Sequence, residues 1–347
     1  GREVTEGPLR IANTDIAITR SAFEAQVSTL ILNVSQAYWD LVFQIKNLAV
    51  QRQTLESSRQ LLAAIRTKVE LGLLSPLEIL VAQASVAARE EAVFIARKGV
   101  FDTEDQLRLL LNLPEQALFD PPAIQPTDPP TDQMQAFKAE GLLEAALQKR
   151  PELAQNRLLF QNQSLSAKIA KDKLSPSLDL VGRLGVNGLG RDFSDETEQL
   201  GQGSFHQWEA GLVLTFPLGN QAARADVQRE KINIRQTLLK REMIIQQITL
   251  ETKEGLRRVQ TDFQRIKATR RARLLAEEKL AAGHERFELG LISSQDLLEF
   301  QDDLAKAKGS ELKAVIDYNK SLVNLEDVSG ALLARHQIET FSPRNDS

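Results

Sequence analysis

Hydrophobic residues recur every seven positions along the first part of the chain. The positions with this spacing are Val27, Val34, Leu41, Leu48, Leu55, Leu62 and Val69. An apolar seven-residue repeat of this length predicts a helix that packs as part of a coiled coil. The pattern predicts one continuous helix over residues 8–71, which at 1.5 Å per residue would be about 90 Å long.

This helical pattern is interrupted twice by nearly the same phrase. The first, "ELGLLSPLEILVAQ", covers residues 70–83, and the second, "ELGLISSQDLLEFQ", covers residues 288–301. Gly290 follows Gly72 by 218 positions (290 − 72 = 218), and at this offset Glu, Leu, Gly, Leu, Ser, Leu and Gln coincide. A glycine inside a helix costs about 1 kcal/mol relative to alanine, whereas Pro76 is well placed in the first turn of a new helix. We therefore predict two turns, each between antiparallel helices, in a chain built from two structural repeats.

The hydrophobic pattern changes from a helical period to strict alternation in the middle of the chain. Residues 177–187 and 208–216 each place apolar side chains on one face and polar side chains on the other, which predicts two β-strands. Their length and single apolar face match transmembrane barrel strands, although a soluble hairpin beside a helical bundle would show the same alternation. Since a sheet in lipid must close, copies of the chain would share the barrel in a cyclic oligomer. The glycine-rich, acidic residues 188–206 predict a long exposed loop.

The predicted fold class is mainly α, with long antiparallel coiled-coil helical hairpins and one β-strand pair. In chain order we predict a first helical hairpin at 1–112, a proline-rich linker at 113–139, a short helical segment at 140–175, the strand pair at 176–217, a second helical hairpin at 218–336 and a tail at 337–347. At the repeat offset, Gly1 aligns with Gly219, just after the second strand. We therefore expect the first repeat to have a helical region and a strand pair before Gly1, which truncation or processing has removed.

The amino-acid composition narrows the chemistry that the chain can perform. Aromatic residues make up only 5% of it, which favours long helices packed in narrow seams. The net charge of −4 gives no reason to expect a nucleic-acid partner. The cluster of Arg270, Arg271 and Arg273 is followed by Glu277 and Glu278, as in a solvated, ion-paired helix face. With no cysteine and three scattered histidines, we predict no metal site, no cofactor and no enzyme activity.

Several stretches together carry a resemblance to a known family. They are "AYWDLVFQ" at 37–44, "LEAALQKRPEL" at 143–153, "PSLDLVGRLG" at 176–185, "WEAGLVLTFPLGNQAARAD" at 208–226 and the two "LGL(L/I)S" breaks. In their order and spacing they resemble the TolC family of outer-membrane efflux and secretion factors. The resemblance implies a homotrimer in which a shared transmembrane β-barrel in the outer-membrane lipid continues into a helical tunnel across the periplasm. A periplasmic adaptor (a membrane fusion protein) would link this tunnel to an inner-membrane pump.

The function expected from this resemblance is that of a passive exit duct in a tripartite efflux or type I secretion system. The alternative is a soluble coiled-coil scaffold without channel activity. In the family, the turns between the long helices are the periplasmic tips that dock the adaptor. The matching residues here are Leu71, Gly72, Leu73, Leu74 and Ser75 in the first turn, and Leu289, Gly290, Leu291, Ile292 and Ser293 in the second. The glycines would permit the tight turn and the leucines would offer apolar surface, unless the leucines only close the end of the coiled coil.

Asp296 and Glu299 match the tunnel-entrance acids of the family. They lie three residues apart, hence on one helix face, and in a trimer they would form stacked carboxylate rings that favour cations and raise a carboxyl pKa by mutual repulsion. The alternative is a pair of solvated surface acids. Family members hold the entrance shut through polar links between neighbouring helices, but Phe287 and Ile292 occupy matching positions and cannot make such links. Glu78, the first-repeat counterpart of Asp296, is therefore expected to lack its usual partner.

Overall fold

The structure is a computed structural model that describes residues 2–113, 123–186 and 206–340. The predicted loop at 188–206 lies outside the described residues except for its last position, and so do parts of the predicted linker and tail. The helices are α1 (Arg2–Thr5), α2 (Gly7–Glu70), α3 (Pro76–Leu110), α4 (Ala139–Lys149), α5 (Pro151–Asp172), α6 (Gln221–Glu288), α7 (Ser294–Val328) and α8 (Leu332–Arg335). The strands are β1 (Ser177–Val186) and β2 (His206–Thr215).

The predicted fold class, mainly α with long helical hairpins and one strand pair, is confirmed. The long helix predicted over 8–71 is α2, which has 64 residues, and α6 has 68. The strands pair antiparallel along their whole length. None of the helices in the described part of the chain has the length and apolar character needed to cross a membrane.

The helix bounds repeat with the offset found in the sequence. The ends of α2 and α6 differ by 218 residues (288 − 70), as do the starts of α3 and α7 (294 − 76) and their ends (328 − 110). Helices α3 and α7 therefore have the same length of 35 residues. The hairpins α2–α3 and α6–α7 are two copies of one structural unit.

Each hairpin turns at a glycine with a left-handed backbone. The φ angle is +75° at Gly72 and +71° at Gly290. In the first turn the N–H groups of Gly72 and Leu73 donate to the carbonyl oxygens of Val69 and Lys68 at 2.9 and 2.8 Å, and the second turn repeats both bonds. These bonds satisfy carbonyl groups that the last helical turn leaves without a partner. Any other residue at these positions would have a Cβ, and the left-handed backbone conformation costs such a residue about 1–2 kcal/mol.

The described residues group into two compact units. One unit contains the described parts of Gly1–Thr19 and Gln155–Glu242, and therefore both strands. The other contains those of Arg20–Ala154 and Met243–Ser347, and therefore both hairpin turns. The candidate site at the turns thus lies within one unit.

Helices α6 and α7 of the second unit approach each other closely because glycine lies at the contacts. A Cβ at Gly255 would be 3.3 Å from side-chain atoms of Leu325 and Val328, and a Cβ at Gly283 would be 2.6 Å from the ring of Phe300. Between these glycines a cluster of apolar side chains is buried: Val259, Phe263, Ile266, Ala314, Tyr318, Leu322, Leu325 and Val328. This packing fixes α7, which carries the predicted gate residues, against α6.

The described part of the proline-rich linker, residues 123–138, is also fixed to helices of the second unit. The Asn319 side chain exchanges two hydrogen bonds with the backbone of Thr131, at 3.0 and 2.9 Å. The buried Tyr318 hydroxyl donates to the carbonyl oxygen of Gln133 at 2.9 Å. The linker therefore satisfies polar groups of α7 that the helix alone leaves unpaired.

Candidate functional site at the helix turns

The turns of the two hairpins lie together and share one apolar core. Its buried members, which we call the tip cluster, come from all four long helices: Leu61 and Ile65 of α2, Ala82 of α3, Phe287 of α6, and Leu297 and Leu298 of α7. Burying a large apolar side chain contributes about 1.5–3 kcal/mol. Because every helix contributes to this cluster, the two turns are held as one surface.

The predicted docking leucines fall into two groups. Four side chains have an exposed fraction of 63–74%: Leu71, Leu73, Leu289 and Leu291. Leu74 and Ile292 are instead partly buried and pack against the tip cluster. The structure therefore separates the leucines that close the coiled coil from those that remain exposed, and docking by the exposed ones stays a prediction. Leu74 and Ile292 close the end of the coiled coil, and the other four form an exposed apolar surface.

Ser75 and Ser293 are the N-caps of α3 and α7. The Ser75 hydroxyl oxygen accepts a hydrogen bond from the N–H of Leu77 at 3.3 Å. The Ser293 hydroxyl oxygen accepts from the N–H of Asp296 at 3.2 Å, while the Asp296 carboxylate accepts from the N–H and hydroxyl of Ser293 at 2.9 and 2.7 Å. This is a capping box, which pairs N–H groups that the first turn of a helix leaves free.

The capping box sets the electrostatics of Asp296. Hydrogen bonds from the hydroxyl and N–H of Ser293 lower the pKa of Asp296, and the positive charge of Arg286 acts weakly in the same direction. The side chain is fully exposed. The sequence predicted a raised pKa for Asp296 because carboxylates of neighbouring copies would repel one another. Within one chain, the pKa of Asp296 is instead lowered.

Glu299 lies one helical turn beyond Asp296 on the same exposed face of α7. Its carboxylate has no hydrogen-bond or ion-pair partner among the described residues. The next acids along the helix are paired: Asp302 with Arg89 at 2.7 Å, and Asp303 with a lysine of α6 at 2.8 Å. Among the described residues, Asp296 and Glu299 therefore differ from the next acids of α7 in forming no ion pair. Their role as gate residues stays a prediction.

Lys68, which sequence analysis missed, ties the two hairpins together beside the turns. Its ammonium group lies 3.2 Å from the Glu288 carboxylate, donates to the carbonyl oxygen of Phe287 at 3.3 Å and lies 4.4 Å from the centre of the Phe287 ring. The ammonium group thus pairs with a carbonyl in the last turn of α6, where positive charge is favourable. Phe287 therefore takes part in a polar link with Lys68 through its carbonyl oxygen and its ring. This link was not predicted from the sequence, because only polar side chains were considered there.

Glu78, which the sequence predicted to lack its usual partner, has a hydrogen-bond partner in the other hairpin. The Ser294 hydroxyl, in the first turn of α7, donates a hydrogen bond to the Glu78 carboxylate of α3. The bond connects residues 216 positions apart, so no local pattern could have predicted it. It forms a second polar link between the hairpins.

Arg89 forms the third link and is the most buried. Only 7% of its side chain is exposed, and it donates to the Asp302 carboxylate and the Ser85 hydroxyl, both at 2.7 Å. Burial lowers the pKa of Arg89, and Asp302 opposes this effect. An arginine remains charged even so, because its ordinary pKa lies far above neutral pH. The pair holds α3 against α7 one turn beyond the predicted gate residues.

The predicted arginine face is ion-paired, as expected for Arg270 and Arg273. Arg270 pairs with Asp132 at 2.8 Å and Glu311 at 3.0 Å, and Arg273 pairs with Glu311 and with Glu277 at 2.7 Å. The described residues contain no group of three or more His, Asp or Glu side chains placed to hold a metal ion.

The strand pair forms a second surface, in the other unit. Its cross-strand pairs place apolar side chains opposite one another: Leu178 with Leu214, Leu180 with Leu212, and Leu184 with Trp208. These six side chains have exposed fractions of 65–82%. The opposite face carries Arg183 and Glu209, 3.8 Å apart. One continuous face is therefore apolar and solvent-exposed in the chain, and the other is polar.

A family comparison explains this combination of turns and strands. The family model described as "Outer membrane efflux protein" matches residues 5–113 and 142–331. These ranges cover both helical hairpins and the strand pair. The chain belongs to the outer membrane efflux protein family, and the prediction of an outer-membrane efflux protein is confirmed.

Individual relatives are distant. Nodulation protein T of Rhizobium leguminosarum bv. trifolii is 22% identical over 334 residues, which cover 94% of this chain. The pyoverdine export outer membrane protein OpmQ of Pseudomonas putida is 24% identical over 303 residues, or 85% of this chain. The chain spans 68% and 62% of the lengths of these two curated relatives.

The fold is that of a solved outer-membrane channel. The CmeC outer membrane channel of Campylobacter jejuni superposes with a TM-score of 0.80 at 16% identity, over 99% of this chain and 72% of that one. The likeness is therefore in the arrangement of helices and strands rather than in the sequence.

Proposed function

We propose that the chain is the subunit of a homotrimeric outer-membrane channel-tunnel that serves as the passive exit duct of a tripartite efflux or type I secretion system. Its helical turns would face the periplasm and dock an adaptor, and through the adaptor an inner-membrane pump. The subunit itself would catalyse no reaction and bind no cofactor, because the pump supplies the energy.

The observation that carries this proposal is the apolar face of the strand pair. Six large apolar side chains in register across β1 and β2 are exposed at 65–82%. Leaving such a face in water is costly, at about 25 cal/mol per Å² of apolar surface, whereas lipid accommodates it. A two-stranded sheet has free edges, and free backbone groups are not tolerated in lipid. The strands therefore favour a barrel shared among copies of the chain.

The test of the channel is a reconstitution of the full-length protein. We expect it to require detergent for extraction, to migrate as a trimer and to conduct ions in a planar lipid bilayer. A full-length protein that stays soluble and monomeric without detergent would instead support the alternative of a coiled-coil scaffold. Loss of export on deletion of the protein would connect the conductance to the cellular function.

The exposed leucines at the turns support the docking role, and a matched pair of variants tests it. We expect Leu73→Ser with Leu291→Ser to abolish export while leaving the unfolding temperature of the trimer unchanged, because both side chains are already exposed. The control, Leu74→Ser with Ile292→Ser, removes side chains that pack against the tip cluster and should lower the unfolding temperature. Full export by the first variant would exclude these leucines from docking.

A further inference from the structure

We infer that Arg286 of one copy of the chain pairs with Glu70 of a second copy, and that this ion pair joins the α6–α7 hairpin of the first to the α2–α3 hairpin of the second at the turns. The inference rests on the proposed trimer and names the side chains through which neighbouring copies meet.

An ion pair joins the two hairpins inside one chain. Lys68, in the last turn of α2, lies 3.2 Å from the carboxylate of Glu288, the last residue of α6. The lysine side chain is only 18% exposed. The ammonium group therefore lies in the seam where the first hairpin meets the second, while the Glu288 side chain is 66% exposed.

The repeat relates this contact to a second pair of charged residues. Adding 218 to Lys68 gives Arg286, and subtracting 218 from Glu288 gives Glu70, so both charges keep their sign. In a closed ring of chains, the two kinds of hairpin alternate. Each α2–α3 hairpin would therefore contact the α6–α7 hairpin of its own chain on one side and that of a neighbouring chain on the other. Because the hairpins are copies of one unit, neighbouring copies can repeat the same contact, which is how a heterologous interface closes into a ring.

Inside the chain, Arg286 and Glu70 are available for a contact with a second copy. Arg286 and Glu70 are both exposed, and neither has an ion-pair partner among the described residues. The charge of Arg286 acts on Asp296, but the Asp296 carboxylate is held by two hydrogen bonds from Ser293 and forms no ion pair with Arg286 among the described residues. Two unpaired opposite charges thus occupy the positions where the repeat requires a pair.

Differences in burial between the two hairpins also indicate a contact between α3 of one copy and the α6–α7 hairpin of another. Leu298 is 5% exposed and Gln301 is 4% exposed, because the α2–α3 hairpin covers them. Ser58 of that hairpin, for example, donates to the Gln301 side chain at 3.3 Å. Their counterparts at the repeat offset are Leu80, which is 62% exposed, and Gln83, which is also exposed. The described residues of one chain leave this face of α3 uncovered, and the α6–α7 hairpin of a second copy would cover it.

The experiment uses the absence of cysteine from the chain. Glu70→Cys and Arg286→Cys are combined in the full-length protein and treated in its membrane with a short bismaleimide. A bismaleimide is used because a disulfide requires Cα atoms within about 7 Å. The long side chains of glutamate and arginine can form an ion pair when their Cα atoms are farther apart than this. We expect covalent dimers and trimers on a denaturing gel, since each copy links to both neighbours. The matched control, Lys68→Cys with Glu288→Cys, should link within one chain and remain a monomer.

Further readouts separate the outcomes. No cross-linked oligomer from a preparation that is still trimeric on a native gel would overturn the inference but leave the proposed function standing. A preparation without trimers would overturn the proposed function itself. As an independent measure, Glu70→Arg and Arg286→Glu should each lower the unfolding temperature of the trimer, and the double exchange should restore it. Unaltered trimer stability in both single variants would also overturn the inference.

Discussion

Asp296 and Asp327 are carboxyl groups on the same helix, α7, whose pKa values shift in opposite directions. Hydrogen bonds from Ser293 lower the pKa of Asp296. Burial raises the pKa of Asp327, and the hydrogen bond that the Ser28 hydroxyl donates at 2.8 Å opposes this only in part. Ser293 is three residues from its partner, whereas Ser28 is 299 residues from Asp327. The capping box was not identified from the sequence, although its partners are close enough for a local pattern to reveal it. The burial of Asp327 has no such local signal.

These shifts predict opposite effects of the same substitution. A raised folded-state pKa means stability that is complete below the unfolded value of about 3.9 and is lost as pH rises through the folded value. Asp327→Asn removes this loss, so we expect it to raise the unfolding temperature at about pH 7 and to change little at about pH 3. Asp296 has a lowered pKa, so its contribution is present above the unfolded value and is lost as pH falls. Asp296→Asn should therefore lower the unfolding temperature at about pH 7.

The measurement is thermal unfolding of the two variants and the parent protein across this pH range. Each variant serves as the control for the other, since both replace an aspartate of α7 by asparagine. Shifts of the same sign at neutral pH would contradict the assigned environments.

The helices were predictable as elements because their signals are local. The seven-residue repeat predicted α2 within one residue at each end, and the glycine phrases predicted both turns. Pro76 lies in the first turn of α3, as predicted. What the pattern could not predict is the packing between hairpins, because Lys68, Glu78 and Arg89 find their partners more than 200 residues away.

The turn glycines should respond to substitution differently from a helical glycine. Gly290→Ala forces a left-handed backbone on a residue with a Cβ, so we expect a loss of about 1–2 kcal/mol in the free energy of unfolding. Its Cβ would meet nothing within 4 Å, and neither would a Cβ at Gly309, inside α7. Gly309→Ala should therefore gain about 0.5–1 kcal/mol, since alanine favours the helix. Denaturant unfolding distinguishes the two, and equal shifts would show that the backbone of the turn is not the cause.

At the scale of the whole molecule, the predicted gate acids and the polar links belong to the same end of the second unit. Asp296 and Glu299 form no ion pair with any described residue, and the Arg89–Asp302 pair lies in the next turn of α7. In a trimer the two acids would be repeated around one axis. Their fields would add at a constriction, which favours cations over anions.

We therefore expect Glu299→Gln to lower the cation selectivity of the full-length channel in planar bilayers, measured as a shift of the reversal potential in a salt gradient. Glu299 is the better test than Asp296 because it takes no part in the capping box, so the fold of the turn should be preserved. Glu278→Gln, on an exposed acid of α6 away from the turn, is the matched control. Unchanged reversal potentials would place Glu299 outside the pore.

The sequence by itself determined the elements of this protein: long amphipathic helices, an alternating strand pair and two glycine turns at an offset of 218. These follow from local periodicity and backbone preferences, which act within a few residues. The tertiary structure alone decided which leucines of the turns remain exposed and which charge ties one hairpin to the other. It also decided that Arg286 and Glu70 form no ion pair with any of the residues it describes. Those properties depend on which distant surfaces cover one another, and packing between helices is not encoded in the period of either helix.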